Sequence, residues 1–356
     1  MTTLKIIVSY TFKKYNMPTN LGYACINMTL SETGVSCNKT MIRKTFLEKG
    51  ISYASELILK NLAGLRQIVE WNNANGIKVY RMSSDMFPWM SEYELSDLPD
   101  YKKISILLNG IGRLAMDNGQ RLSFHPGQYC VLASPSEKVV LNAINELNKS
   151  AQIMDLMGLP KSRMSKINIH VGGAYGDKKS ALERFCKNFL RIQPSAQARL
   201  TVENDDKKNM YSVQDLYDGV YKVVGIPIVF DYYHHKFCTG GLTEEQALKL
   251  AVSTWGDVKP CTHYSESRRN EQKLIIEGIC ENNGISIDQM QDWPTLSSHY
   301  KEFSKIKEQA HSDYIVDEIK SYGLDIDVVV EAKAKELTVL KYKEKYSKSK
   351  ELVAQV

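Results

Sequence analysis

Short apolar runs recur along the chain with longer amphipathic segments between them, the alternation expected of parallel strands joined by crossover helices. Eight runs stand out, at 21–26, 77–82, 121–125, 167–171, 200–203, 226–231, 259–264 and 326–331. The near-continuous Val and Ile of PIVFD (227–231) and DVVVE (327–331) suit strands covered on both faces. Between them, 55–75 carries Leu57, Leu59, Leu62, Leu65, Ile68 and Val69 at helical spacing and runs out at AsnGly. Further helices are expected over 100–118, stopped by Gly119, over 136–157, stopped by Gly158, and over 243–254, which opens on Thr-Glu-Glu. Eight strands, each followed by a helix, predict an α/β fold of the (β/α)8 barrel type, with the open doubly wound sheet as the alternative that the pattern allows.

One stretch breaks the regularity. From Asn270 to about residue 305 the chain carries extra sequence, expected as an insertion between the seventh strand and its helix, on the face where β/α loops open. The 356 residues then divide into an N-terminal extension (1–19), one elaborated barrel (20–345, with the insertion at about 270–305) and a C-terminal tail (346–356). The lysine-rich KAKELTVLKYKEKYSKSK after Glu331 reads as a final helix with a solvated face rather than a DNA-contacting one.

Composition adds limits. Hydrophobic residues at 43% and charged residues at 24% supply an ordinary globular core, which excludes a disordered chain. A net charge of +5, from 46 basic against 41 acidic residues, agrees with a polyanionic partner without demanding one. Seven cysteines with no CxxC pair point to reduced thiols in an intracellular compartment, cytoplasm or nucleus. The opening MTTLKIIVSYTFKKYN is too short in apolar residues for a signal peptide, and no stretch reaches the ~18 apolar residues of a membrane span. A monomer with neither a membrane nor a nucleotide cofactor as partner is expected.

The chemistry lies in where seven histidines fall. His125 closes RLSFH, His170 closes INIH, Glu203 closes LTVE and Asp231 closes PIVFD, with His234 three residues on. His263 lies in KPCTHYS, His311 in QAHSDY, and Glu331 closes VVVE. Strand C-termini of a parallel barrel surround one mouth, so five imidazoles and three carboxylates would converge there. Such a cluster needs positive charge in its midst, and divalent metals meet that need. A nitrogen and oxygen set without thiolate suits Zn2+ or Mn2+ better than Ca2+. Eight candidate ligands exceed what one ion takes, and two or three ions a few Å apart are a standard device for phosphodiester cleavage. Glu203, central in the set, is the expected bridging carboxylate.

At this point LGYACIN, YRMSSDMFP, SFHPGQY, NIHVGG, VENDD, FDYYHH, HYSE, HSDY and EAKAKE, in that order from Leu21 to Glu336, give the chain a specific likeness. It resembles the UV damage endonuclease family, relatives of endonuclease IV in the xylose-isomerase-like barrel superfamily. The resemblance implies three metals. His125, His170 and Glu203 would hold the first, Glu203 would be shared with a second that takes Asp231, His263 and Glu331, and His234 with His311 would hold the third. Mn2+ is the first choice, with Zn2+ or Mg2+ as alternatives. Glu203, His263, Glu331 and Lys259 are the residues assigned to catalysis.

The resemblance also implies lesion contacts. Gln128 and Tyr129, after the third strand, match the family's probe residues, which fill the gap left by an extruded dinucleotide. Tyr23 and Asn27, after the first strand, are expected at the same mouth, with strand-end packing and a helix cap as their structural alternatives. The chain departs from the pattern in the seventh strand. Bacterial relatives resemble a ProLysXaaHis run whose lysine is a candidate for carboxylation, whereas here Pro260, Cys261, Thr262 and His263 put a cysteine in that register. Cys261 is read as a small packing residue in preference to a thiol facing the metals.

The function implied is a DNA repair endonuclease. It would cut damaged double-stranded DNA immediately 5′ to pyrimidine dimers and 6-4 photoproducts, with abasic sites as a further class, leaving a 3′-hydroxyl and a 5′-phosphate. Two other readings share the barrel: a metal-dependent sugar isomerase or epimerase, against which the many histidines count, and a barrel that only binds nucleic acid, against which the intact ligands count.

Overall fold

The computed structural model describes residue 18, residues 20–292 and residues 297–354. Most of the expected extension at 1–19, residues 293–296 of the insertion and residues 355–356 of the tail lie outside the described residues. Eight strands form where the apolar runs predict them: β1 (Asn20–Ala24), β2 (Val79–Arg81), β3 (Arg121–Ser123), β4 (Ile167–Ile169), β5 (Leu200–Glu203), β6 (Ile228–Val229), β7 (Cys261–Tyr264) and β8 (Asp327–Val330).

All pairings are parallel, in the orders β3-β2-β1-β8-β7 and β4-β5-β6. Parallel bridges Phe124↔Ile167 and Asp231↔His263 join β3 to β4 and β6 to β7, so the ring closes in sequence order. A doubly wound sheet, whose strand order reverses at a switch point, is excluded. The wall is tight where β1 meets β2: a Cβ on Gly22 would lie 1.8 Å from the Val79 carbonyl oxygen.

Helices α1 (Met28–Ser31), α2 (Arg43–Ala74), α3 (Tyr101–Asp117), α4 (Glu137–Leu156) and α5 (Lys178–Phe189) follow the first four strands. The second begins earlier than the 55–75 expected, because two helical segments run together across Gly50, which takes φ 66° there. Its apolar face, with Leu62, Leu65 and Val69, joins the main core between barrel and helices. A second, smaller apolar cluster fills the inside of the ring with Ala24, Val79, Val229, Cys261 and Val329, capped by Trp255. These alternate along their strands with main-core residues such as Tyr80, Ile228 and Val328, as a two-sided wall requires. Cys261 is therefore a packed interior residue.

The N-terminal end of the barrel is closed by charge. The Arg121 guanidinium donates to the carbonyls of Met164 (3.0 Å), Arg163 (2.9 Å) and Lys259 (2.7 Å) and pairs with Asp327 at 3.1 Å. It also lies over the Trp255 ring.

After β7 the helix Arg268–Asn283 starts at once, and a second follows at Ser297–Ser304. Ile276, Cys280 and Met290 give this segment a small core of its own. The expected order is corrected here: among the described residues no further helix separates the segment from β8, and a loop bearing His311 leads straight into the strand. The last helix, Glu336–Ala354, runs beyond residue 345 and packs Val339, Tyr342 and Tyr346 on the core. No helix of the described residues is long and apolar enough to cross a membrane.

Candidate metal centre

The strands β3 to β8 each end on, or lead at once into, a side chain turned into the mouth. His125 and His170 follow β3 and β4, Glu203 closes β5, His263 lies in β7, and Glu331 follows β8. Asp231 caps the short helix Tyr232–His235: its Oδ1 accepts from the amides of Tyr233 (2.7 Å) and His234 (2.8 Å), which aims His234 inward.

Glu203 is the hub. Its carboxylate lies 3.4 Å from His125 Nε2, 3.4 Å from His234 Nδ1 and 3.0 Å from His263 Nδ1. Glu331 lies 3.3 Å from His263 Nδ1 and 3.7 Å from His311 Nδ1. Adjacent imidazoles stand 5.6 to 6.3 Å apart between ring centres, from His125 to His170 to His234 to His311. Glu203, Asp231 and His263 form the buried floor, while His125, His170, His234 and His311 are partly open to solvent.

Ligand atoms within 4.8 Å of one another fall into three groups: His125, His170 and Glu203; Glu203, Asp231 and His234; Asp231, His263 and Glu331. The first matches the expected partition. The others divide differently, with His234 beside Glu203 and Asp231, Asp231 shared, and His311 at the rim outside the three groups.

The donors fit ions. Asp231 Oδ2, His170 Nδ1 and His263 Nδ1 are buried and make no hydrogen bond, an expensive arrangement for polar atoms without a ligand. Burial alone would raise the Glu203 carboxyl, but the charges of His263 and His170 and a hydrogen bond from His125 hold it well below the usual range. Burial lowers His170 and His234 less than neighbouring carboxylates raise them: Glu203 and Asp205 take His170 to about 10, and Asp231 and Glu203 take His234 to about 9. Burial pushes His263 down to about 4, against the pull of the Glu203 carboxylate.

Several neighbours went unnoticed in the sequence. Arg81, in the YRMSSDMFP motif, sends its guanidinium onto Glu331. Asn168 donates to Glu203 Oε2 and is itself held by Thr201 at 2.8 Å. Lys166 reaches His263 Nε2 at 2.9 Å. All three occupy inward positions two or four residues before a strand-end ligand or beside one, so strict period-two reading of the strands could have flagged them.

Three expectations are corrected. Lys259 lies at the opposite end of the barrel, its amine 2.7 Å from Asp325 and 3.1 Å from Asp327. Four residues of extended strand, roughly 13 Å, separate it from His263, so it touches no reacting group. Tyr23 and Asn27 are buried. The Tyr23 hydroxyl donates to Asn72 at 2.8 Å, Asn27 donates to that hydroxyl at 2.9 Å, and Asn27 Oδ1 caps α1 through the Leu30 amide. Tyr23 faces the surrounding helices because its neighbours Gly22 and Ala24 face the interior, and neither side chain offers a surface to a ligand at the mouth. Gln128 and Tyr129 sit in the exposed turn after β3, with Tyr129 80% exposed.

Comparison with known proteins agrees with this architecture. The sequence model for "UV-endonuclease UvdE" matches residues 19–356. The UV-damage endonuclease of Schizosaccharomyces pombe is 32% identical over 337 residues, covering 92% of this chain but 50% of its own length. The UV DNA damage endonuclease of Clostridium perfringens is 33% identical over 254 residues, covering 69% of this chain and 58% of its own. A crystal structure described as SacUVDE superposes with a TM-score of 0.72 at 29% identity, covering 92% of this chain and 99% of that one.

Proposed function

The chain belongs to the UV-endonuclease UvdE family, and on that premise we propose that it is a metal-dependent DNA repair endonuclease acting as a monomer on damaged double-stranded DNA. It would incise immediately 5′ to pyrimidine dimers and 6-4 photoproducts, and at abasic sites, leaving a 3′-hydroxyl and a 5′-phosphate. The observation that carries this reading is the meeting of five imidazoles and three carboxylates at one barrel mouth. Seven free thiols suit the reducing interior of a cell, cytoplasm or nucleus.

Three ions fit the three groups of ligands, Mn2+ first, with His311 completing the set at the rim. Bound there, divalent ions supply Lewis-acid charge for the phosphate and acidify a water. The chain's own residues do the rest. Asn168 and Thr201 orient Glu203. Arg81 brings a partly buried positive charge beside Glu331, within the cluster that a strand phosphate would approach. Gln128 and Tyr129 stand clear of the surface, suited to enter the duplex where the damaged pair leaves it.

A test is direct. The protein with Mn2+ and an end-labelled duplex carrying one thymine dimer should produce a nick directly 5′ of the dimer; intact DNA under these conditions rejects the proposal. Tyr129→Ala should slow that incision by roughly 10- to 100-fold, the equivalent of losing ~1–3 kcal/mol of base stacking. Its thermal midpoint should not move, since Tyr129 is 80% exposed. An unimpaired rate would remove Tyr129 from the lesion interface.

Protons report on the ions. His170 and His234 hold theirs to about 10 and about 9, above the ordinary 6.5, so the metal-free protein near pH 7.5 carries both as imidazolium. Their ion pairs stabilise the metal-free fold fully below about 6.5, and that contribution is lost as pH rises through about 9 to 10. Ions need the unprotonated rings, so uptake should release about two protons and tighten as pH rises across this window. Calorimetry in buffers of differing ionisation heat measures the release; uptake with no buffer dependence contradicts it.

A further inference from the structure

One fully buried lysine lies beneath the floor of the metal centre and has no part in the chemistry just described. Lys166 precedes β4 and is 0% exposed. A buried lysine almost always has a partner, and this one ends 2.9 Å from Nε2 of His263. Lys166, Asn168 and His170 share one side of their strand by alternation. The side chain of Lys166 therefore crosses the interior of the ring to reach β7.

The contact sets His263 apart from its neighbours. In His125, His234 and His311 it is Nδ1 that lies 2.9 Å from a backbone carbonyl, of Pro126, Asn204 and Glu331 respectively. An Nδ1–H donated to a carbonyl fixes the tautomer and leaves Nε2 as the nitrogen with a lone pair. His263 is turned the other way. Its Nε2 is taken by Lys166, while Nδ1 faces Glu203 Oε2 at 3.0 Å and Glu331 Oε1 at 3.3 Å without a hydrogen bond.

We infer that Lys166 is a positioning residue: by holding Nε2 of His263 it fixes the ring so that Nδ1 is the nitrogen presented beside Glu203 and Glu331. For Nδ1 to carry the lone pair, Nε2 keeps its hydrogen and donates it to Lys166 as the neutral amine, the acceptor that carbonyls provide for the other three; an ammonium there would leave the hydrogen on Nδ1 instead. A ring without that partner can turn about its broad χ2 torsion and exchange the two nitrogens. The inference rests on the metal-centre reading and deepens it.

Ion binding tests it apart from cleavage. The full chain, stripped of metal, is titrated with Mn2+ while the free ion is followed by electron paramagnetic resonance. Lys166→Met keeps the length and apolar stem and removes the amine; Lys166→Gln keeps a polar partner for the ring. The Met variant should bind one ion about 10- to 100-fold more weakly, as loss of an outer hydrogen bond to a ligand does. The Gln variant should recover most of that, and both should keep the wild-type circular dichroism. A merely structural lysine would give no such rescue.

Equal Mn2+ binding by wild type and the Met variant overturns the inference, whereas no uptake by the wild type overturns the metal-centre reading instead. Should the Met variant fail to fold, the ring itself decides, through 15N spectra of the histidines in the metal-free wild type. A single, fixed His263 tautomer is expected, and a ring averaging between two orientations overturns the inference.

Discussion

Glu203→Gln leaves the barrel folded and lowers 5′ incision of a dimer-containing duplex by roughly 10³-fold or more, the scale on which groups that organise charge at a reacting centre act. The Glu203 carboxylate faces three imidazoles at 3.0 to 3.4 Å and belongs to two of the three ligand groups, so one substitution disturbs two ion positions together. Glutamine has the same shape and can still accept from Asn168, so the buried position keeps a hydrogen bond and folding is spared. Single-turnover incision and the metal content of the purified variant measure the two effects. A variant that cuts at the wild-type rate with its full complement of ions would remove Glu203 from the centre of the mechanism.

The largest effect on stability is expected at the other end of the barrel. Arg121→Met should cost about 3–5 kcal/mol, the usual result of removing one partner of a buried ion pair, and lower the thermal midpoint by about 4–7 °C in a chain of 356 residues. The guanidinium is almost wholly buried. It serves Asp327 and three backbone carbonyls at once, all of which lose their donor. Lys259 and Asn20 still reach Asp327, at 3.1 Å and 2.9 Å, which keeps the loss near the lower bound. Replacing Asp327 by Asn in the same chain should return part of the loss, because the buried charge, left to Lys259 and Asn20 alone, is then gone. Thermal unfolding of the single and double variants measures this. A midpoint within 1 °C of wild type, roughly 0.75 kcal/mol or less, would mean that the closure at this end does not hold the barrel together. Incision per folded molecule at low temperature should stay near wild type, since the ion ligands lie a strand's length away.

The two ends of the barrel also mark what the sequence could and could not say. Apolar runs bounded by polar strand ends are local signals, and each of the eight strands lies within its run, except for Asn20 at the start of β1. In a parallel barrel every strand end points the same way, so the position of a ligand along its strand is enough to bring it to the mouth. His125, His170, Glu203, Asp231, His263 and Glu331 follow from that alone. Lys259 was misplaced because it precedes its strand, which a Pro separates from it, and so it belongs to the far end. Tyr23 was misplaced by one step of alternation, since Gly22 and Ala24 take the inward positions. The Lys166 contact needs knowledge of which strands face each other across the ring, and no local pattern carries that. Helix α2 starts before the expected 55–75 because a second helical segment, broken from it at Gly50, adjoins its N-terminal end.

A vessel stoppered at one end has a single opening. Arg121, Asp327 and Trp255 shut the floor of the ring, and Ala24, Val79, Val229, Cys261 and Val329 fill the space above them with hydrocarbon. Whatever enters the centre must come and go through the mouth, the same doorway at which a duplex would dock. On the proposed reading, bound DNA corks the site, trapping beneath it the ions that were there when it arrived.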